Sequence, residues 1–153
     1  MGGKRTSMDL TEMLTGKIVF FDSPPFIYVF EEKQPYKKLL EPVFLAVDSG
    51  TIHAVSSLVT MSEVLTIPYR YGQWDLIEKY GEVFGRSSNI RVLSLTMEIA
   101  DLTAQVRGKY RLKTPDAIQW ATAKLNEVDY FLTNDRGFKI LNDERILIID
   151  EYL

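Results

Sequence analysis

The sequence predicts an α/β domain in which a mainly parallel central sheet of about five strands is sandwiched by helices. Short apolar runs of strand length alternate along the whole chain with longer segments whose apolar residues recur at helical spacing. The first run, Lys17-Ile18-Val19-Phe20-Phe21, is apolar almost throughout, as expected of a parallel strand covered on both faces. Acidic residues stand just after the apolar runs, or on the first turns of the helices that follow them.

Residues 1–15 read as an N-terminal tail, with at most one amphipathic turn through Leu10, Met13 and Leu14, and residues 16–153 read as the domain. After the first strand, Pro24-Pro25 forces an extended start and suits the first turn of a short helix over Phe26 to Glu31. Pro35 opens a second helix that runs to Ser49, with Leu39, Leu40, Val43, Phe44 and Val47 at helical spacing and Gly50 as its stop. A strand over His53 to Ser57 leads into a helix around Val59 to Thr66, ended by Pro68, and another helix spans Gln73 to Phe84. The Arg86-Ser87-Ser88-Asn89 loop precedes a third strand over Ile90 to Leu95. Thr96 caps a helix with Glu98 in its first turn that runs to Tyr110. Thr114-Pro115-Asp116 marks the next helix by cap, proline and acid, and that helix turns Ala117, Ile118, Ala121 and Leu125 inward. A fourth strand over Asp129 to Thr133, a short helix over Asp135 to Leu141 and a last strand over Ile146 to Ile149 complete the chain.

Composition narrows the chemistry. The 153 residues suit one domain, and 46% hydrophobic with 25% charged residues is ordinary for a globular protein. With no cysteine and one histidine, disulfides, thiolate sites and ordinary zinc sites are excluded, which leaves oxygen ligands and hard cations. The net charge of −3 argues against binding nucleic acid by overall field, though Arg107, Lys109, Arg111 and Lys113 form a local basic patch. There is no run of membrane-spanning length and no apolar signal-peptide core, so a cytoplasmic location is expected. Met1 to Thr6 fits the permissive myristoylation pattern, which a flexible tail explains equally well.

Four carboxylates carry the functional reading: Asp22, Glu63, Asp116 and Asp135. In an open parallel sheet, ligands bind beyond the carboxyl ends of the strands, and the placement of these acids brings all four to that edge. Clustered carboxylates cannot all stay ionised without a cation, and Mg²⁺ or Mn²⁺ is the expected tenant. Such a cation supports phosphodiester hydrolysis by activated water. Asp22, Asp116 and Asp135 are the expected ligands, and Glu63 is either a ligand or the holder of the attacking water. Thr133, two residues before Asp135 on an extended strand, shares its face and can hold a ligand carboxylate or water. Taken singly, Asp116 also fits a helix N-terminal acid and Asp135 a helix cap. It is the common edge that sets the group apart.

Phe20-Phe21-Asp22-Ser23, Met61-Ser62-Glu63-Val64, Thr114-Pro115-Asp116-Ala117-Ile118 and Leu132-Thr133-Asn134-Asp135-Arg136-Gly137-Phe138 resemble, in order and spacing, the four acidic motifs of PIN-domain nucleases. The resemblance extends over about residues 17–150, and small single-domain chains of this kind look most like the toxin halves of VapBC toxin–antitoxin pairs. It implies a Mg²⁺- or Mn²⁺-dependent endoribonuclease acting on RNA, with a cognate antitoxin and a homodimeric state. Two departures stand out. Pro24-Pro25 follows Ser23 where the family commonly has a polar residue, and Gly137 replaces a frequent further acid, which argues against full occupancy by a second metal.

Arg107, Arg111, Lys113 and Arg136, with Lys109 and Lys139, are the candidates for gripping RNA phosphates; a solvated helix end explains the first group equally well. Tyr69, Tyr71 and Trp74 are expected to pack, with a dimer or partner surface as the alternative. His53, at a strand start away from the acids, serves the fold. Folds with an aspartate nucleophile need paired early acids that Asp22-Ser23-Pro24 lacks, and nucleotide folds need a Gly-rich loop after the first strand. The remaining alternative is a PIN-like module that binds RNA or protein without cleaving.

Overall fold

The computed structural model describes residues 7–85 and 89–153; the Met1 to Thr6 pattern and most of the Arg86–Asn89 loop lie outside them. Helix α1 (Ser7–Leu14) leads into β1 (Ile18–Phe21), and α2 (Ser23–Phe30) and α3 (Tyr36–Asp48) lie between β1 and β2 (His53–Ser57). Next come α4 (Leu58–Arg70), α5 (Trp74–Val83), β3 (Ile90–Leu93), α6 (Met97–Lys109) and α7 (Thr114–Leu125). The chain ends with β4 (Tyr130–Thr133), a 3-10 helix over Arg136–Leu141, β5 (Ile146–Ile148) and a last 3-10 helix over Ile149–Tyr152.

The sheet has strand order β3-β2-β1-β4-β5, and each neighbouring pair is parallel. From β1 the chain builds outward through β2 to β3, then returns to the other side of β1 to lay down β4 and β5. This reversal opens a crevice beyond the carboxyl ends of β1 and β4, the position where open α/β sheets bind ligands.

Both faces of the sheet are covered, which accounts for the unbroken apolar character of β1. Val19 and Phe21 pack on one face with Phe26, Leu40, Val43, Phe44, Tyr80 and the α1 residues Leu10 and Leu14. Phe20 faces the other way into a cluster with Val106, Ala117, Trp120 and Phe131. Phe20 and Phe131 are register partners on adjacent strands, and their rings stack at 5.1 Å with planes 2° apart. A cross-strand aromatic pair of this kind locks the β1–β4 register on which the crevice depends.

Three expectations need correction. Residues 7–14, read as part of a tail, form α1, with Leu10 and Leu14 fully buried. Two leucines at i and i+4 are too short a pattern to mark a buried helix, and the sheet face they cover is visible only in the fold. Pro68 does not end α4, which runs on to Arg70. The backbone beyond the proline is satisfied, since Tyr71 N–H donates to Ile67 O (3.1 Å) and Gln73 N–H to Pro68 O (2.9 Å). In α7 the helix starts at Thr114 with Lys113 in the cap position, and its inward face includes Gln119 and Trp120, whereas Leu125 is 39% exposed.

Truncation of Leu14 to Ala is therefore expected to destabilise the protein by about 2–5 kcal/mol, the cost of a buried leucine-sized cavity. Urea denaturation measures this. A change within about 0.5 kcal/mol, ordinary for an exposed position, would return the segment to the status of a tail.

Candidate active site at the carboxyl end of the sheet

Asp22 immediately follows β1 and is only 5% exposed. Its N–H donates to Leu132 O (3.0 Å), extending the β1–β4 ladder by one residue and fixing the backbone under the side chain. The two carboxylate oxygens accept from different elements: Oδ1 from Gln119 Nε2 at 3.2 Å on α7, Oδ2 from Thr133 Oγ1 at 2.7 Å on β4. Burial pushes this carboxyl above the usual range and the nearby Asp135 adds to the rise, while hydrogen bonding from Thr133, the Ser23 backbone and Gln119 pulls against it.

Thr133 is fully buried, as the strand pattern places it, and serves two acids at once. Its hydroxyl donates to Asp22 and accepts from the Asp135 N–H (3.0 Å). Asp135 Oδ1 in turn accepts from Gly137 N–H (2.8 Å) and caps the 3-10 helix. Here the glycine has a local reason. A Cβ at position 137 would stand 3.0 Å from Asp135 Oδ1, so the residue that departs from the family pattern leaves room for this cap.

Glu63 projects from the second turn of α4, which begins directly after β2 with Ser57 as its cap. It is solvent-exposed as a residue, yet its Oε1 accepts from Ser23 Oγ (2.5 Å) beside Asp22. Partial burial of the carboxyl raises its pKa, opposed by the Ser23 bond, with further upward pushes from Asp22 and Asp116. Asp116, in the first turn of α7, is pushed up to about 6 by burial and by the charges of Asp135 and Asp22, with Lys113 working the other way.

The four acids thus feel one another across the crevice. Among the described residues, however, no three of them are gathered closely enough to form a ready-made metal cage. Asp22, Glu63 and Asp135 are each turned toward a local hydrogen-bond donor. The donor set fits a hard divalent cation, being all oxygen and carrying more negative charge than the site can keep ionised alone.

Two polar residues that the sequence reading passed over prove central. Gln119 joins Asp22 to Thr60 on α4. Asn134 fastens the turn after β4, with Oδ1 accepting from Asp150 N–H (2.9 Å) and Nδ2 donating to Tyr28 OH (3.0 Å). The available signal was weak: Gln119 sits in Ala117 to Ala123, a stretch with little solvated face, and a polar residue there must find partners.

The cationic candidates separate. Arg107 Nε donates to Leu112 O (3.2 Å), clamping the turn between α6 and α7, and Lys139 pairs with Glu151 at 3.2 Å. Lys109 lies over the Tyr110 ring at 5.3 Å. Arg111, Lys113 and Arg136 are exposed, and Lys113 acts on Asp116. His53 stands at the far end of β2 from the acids. Contrary to the expectation of packing, Tyr69, Tyr71 and Trp74 are 56%, 69% and 67% exposed, because the α4–α5 corner turns them outward.

A family model of the PIN domain matches residues 19–144, a span that includes all four acids. The chain belongs to the PIN domain family. No curated protein sequence matches it. Among solved structures, this PIN domain is similar to a toxin–antitoxin complex from Klebsiella pneumoniae, at 23% identity and TM-score 0.66 over 86% of this chain and 97% of that one. It is also similar to VapC20 of Mycobacterium tuberculosis, a sarcin–ricin loop cleaving toxin, at 12% identity and TM-score 0.59 over 74% and 86% of the two chains. FitAcB from Neisseria gonorrhoeae aligns at 18% identity and TM-score 0.61, over 86% and 97%. At these identities the likeness is one of fold.

Crowded acids make the metal-free PIN domain sensitive to pH. A carboxyl whose folded pKa lies above its unfolded value binds protons more tightly when folded, so its contribution favours the native state at low pH and is lost as pH rises. For Asp116 the window runs from 3.8, the ordinary value, to about 6. In EDTA, Asp116→Asn is expected to gain melting temperature relative to wild type as pH rises from about 4 through about 6. A difference that stays constant over that window would show that burial and the neighbouring acids do not raise the Asp116 carboxyl.

Proposed function

We propose that this PIN domain is a divalent-cation-dependent endoribonuclease, the toxin of a toxin–antitoxin pair, which hydrolyses RNA phosphodiester bonds with activated water. The observation that carries the reading is the convergence of Asp22, Glu63, Asp116 and Asp135 on the crevice where strand order reverses, with the proton affinity of Asp22, Glu63 and Asp116 raised. The structural neighbours lend support, since they include a toxin–antitoxin complex and a toxin that cleaves the sarcin–ricin loop.

Asp22, Asp116 and Asp135 would hold Mg²⁺ or Mn²⁺, with Glu63 completing the set or holding the attacking water. When bound, the cation supplies Lewis acidity and a water deprotonated near neutral pH. The chain's own groups do the rest. Thr133 keeps Asp22 Oδ2 in place and ties it to the Asp135 backbone. Glu63, fixed by the Ser23 hydroxyl beside Asp22, would accept the proton of the attacking water. Exposed Arg111, Lys113 and Arg136 would grip flanking phosphates. Arg107 contributes to that surface chiefly by holding the turn.

A cognate antitoxin and a homodimer belong to the same proposal, with action in the cytoplasm where RNA is met. Among the described residues no helix is long and apolar enough to cross a membrane. The exposed Tyr69, Tyr71 and Trp74 offer the aromatic surface typical of protein contacts.

Cleavage of single-stranded RNA is expected to need Mg²⁺ or Mn²⁺ and to stop in EDTA. Outer partners of metal ligands are commonly worth about 10–100-fold, so loss of a ligand in Asp116→Asn is expected to cost at least about a hundredfold in rate. RNA affinity of that variant should hold or tighten, because a charge that repels phosphate is gone. Arg111→Ala should instead weaken binding and reduce the salt slope by about 1. Cleavage and filter-binding assays at two salt concentrations read these out. Wild type that binds RNA but cuts none with either cation would favour the non-cleaving module.

A further inference from the structure

The buried polar network above the sheet has a single hub. Gln119 is 1% exposed and lies one helical turn after Asp116 on α7. Its Nε2 donates to Asp22 Oδ1 (3.2 Å) and to Thr60 Oγ1, and its Oε1 accepts from Ser57 Oγ. The partners are themselves buried: Asp22 at 5%, Ser57 at 2% and Thr60 at 0% exposure.

The orientation of the amide follows from what each neighbour can give. Ser57 Oγ accepts from Thr60 N–H (3.3 Å) as the α4 cap, so its own hydrogen goes to the Gln119 carbonyl. That leaves both Nε2 hydrogens for Thr60 and for Asp22, and an ionised carboxylate can only accept. The reversed amide would set two oxygens against each other. With Asp22 ionised, this is the orientation of Gln119 that satisfies every partner.

Its placement is what matters. Thr60 lies one turn before Glu63 on α4, and Asp116 one turn before Gln119 on α7. One amide thus joins Asp22 directly to the two helices that carry Glu63 and Asp116, while Thr133 joins Asp22 to Asp135. With Thr133 on Oδ2 and Gln119 on Oδ1, the Asp22 carboxylate cannot turn about its terminal bond without breaking a buried hydrogen bond.

We infer that Gln119 is a positioning residue that sets the plane of the Asp22 carboxylate and the register of α4 against α7, so that Asp22, Glu63 and Asp116 face one divalent cation. This inference rests on the cation-dependent reading proposed above. Gln119 would gather carboxylates that are otherwise turned toward separate local hydrogen-bond donors. A residue that merely filled space would change stability without changing the demand for metal.

The test uses Gln119→Met, which keeps the volume and removes all three bonds, on the full chain. Thermal melts over a Mg²⁺ series are expected to show a saturable rise for wild type, by linkage of binding to folding. In Gln119→Met the Mg²⁺ concentration giving half the rise is expected to increase about tenfold, as for other residues that orient metal ligands. Metal-free melts of Asp22→Ala, Gln119→Met and the double variant are expected to be non-additive, because the two side chains share a bond that either substitution removes. Should Gln119→Met fail to fold, Thr60→Val removes one anchor of the amide and should move the half-point in the same direction. A folded Gln119 or Thr60 variant with an unchanged half-point, or strictly additive metal-free melts, overturns the inference and leaves the cation-dependent reading standing. Wild type that responds to neither Mg²⁺ nor Mn²⁺ overturns that reading, and the inference falls with it.

Discussion

A buried carboxylate at the end of β1 is the constraint around which this protein is arranged. Among the described residues, Asp22 is the only ionisable acid or base in the buried polar set. Taking such a group out of water costs several kcal/mol unless it is hydrogen-bonded and paired. The fold answers with donors from β4 and α7, and no described lysine or arginine forms an ion pair with it. The result is a sheet that is apolar through its middle and polar at one end, where Ser56, Ser57, Thr60, Gln119 and Thr133 are all buried. These side chains are fully satisfied, since no described buried side-chain nitrogen or oxygen lacks a partner. A network in that condition is rigid, because breaking any one bond strands a polar group in a dry place.

That rigidity shapes the site beyond Asp22. Exposure grades outward from the buried aspartate through half-buried Asp116 to exposed Glu63 and Asp135. The deep acid has its geometry set by regular structure, while the outer acids sit on a helix start, a second turn and a 3-10 cap. The acid whose position is fixed is therefore at the base of the crevice, and the groups able to adjust surround its mouth. Such an arrangement would suit the proposed cation, held on one side by the buried acid.

Much of the scaffold could be read from local pattern. The bounds of β2 agree residue for residue, and Thr96 caps α6 by accepting from Ile99 N–H (3.1 Å), because strand alternation and capping depend on near neighbours alone. Pattern failed where a distant surface decided the outcome. Leu10 and Leu14 are helical and buried because a sheet face waits for them. Trp120 turns inward on α7 in place of Leu125 because Phe131 lies opposite, at 5.5 Å between ring centroids. Tyr69 and Trp74 meet edge to face at 6.1 Å yet stay exposed, since nothing else in the described fold covers that corner.

The sequence by itself determined the fold class and the membership in the PIN domain family, and it singled out the four acids proposed for the site, since apolar periodicity, cap residues and ordered motifs are properties of short stretches. Only the tertiary structure decided that Asp22 is buried while Asp135 is open, that Thr133 serves both, and that Gln119 links three acid-bearing segments. The reason lies in separation along the chain. Gln119 stands 97 residues from Asp22 and 59 from Thr60, and no local rule can say which of many polar side chains will meet when strand order reverses. Burial and charge then act on whatever the topology has brought together.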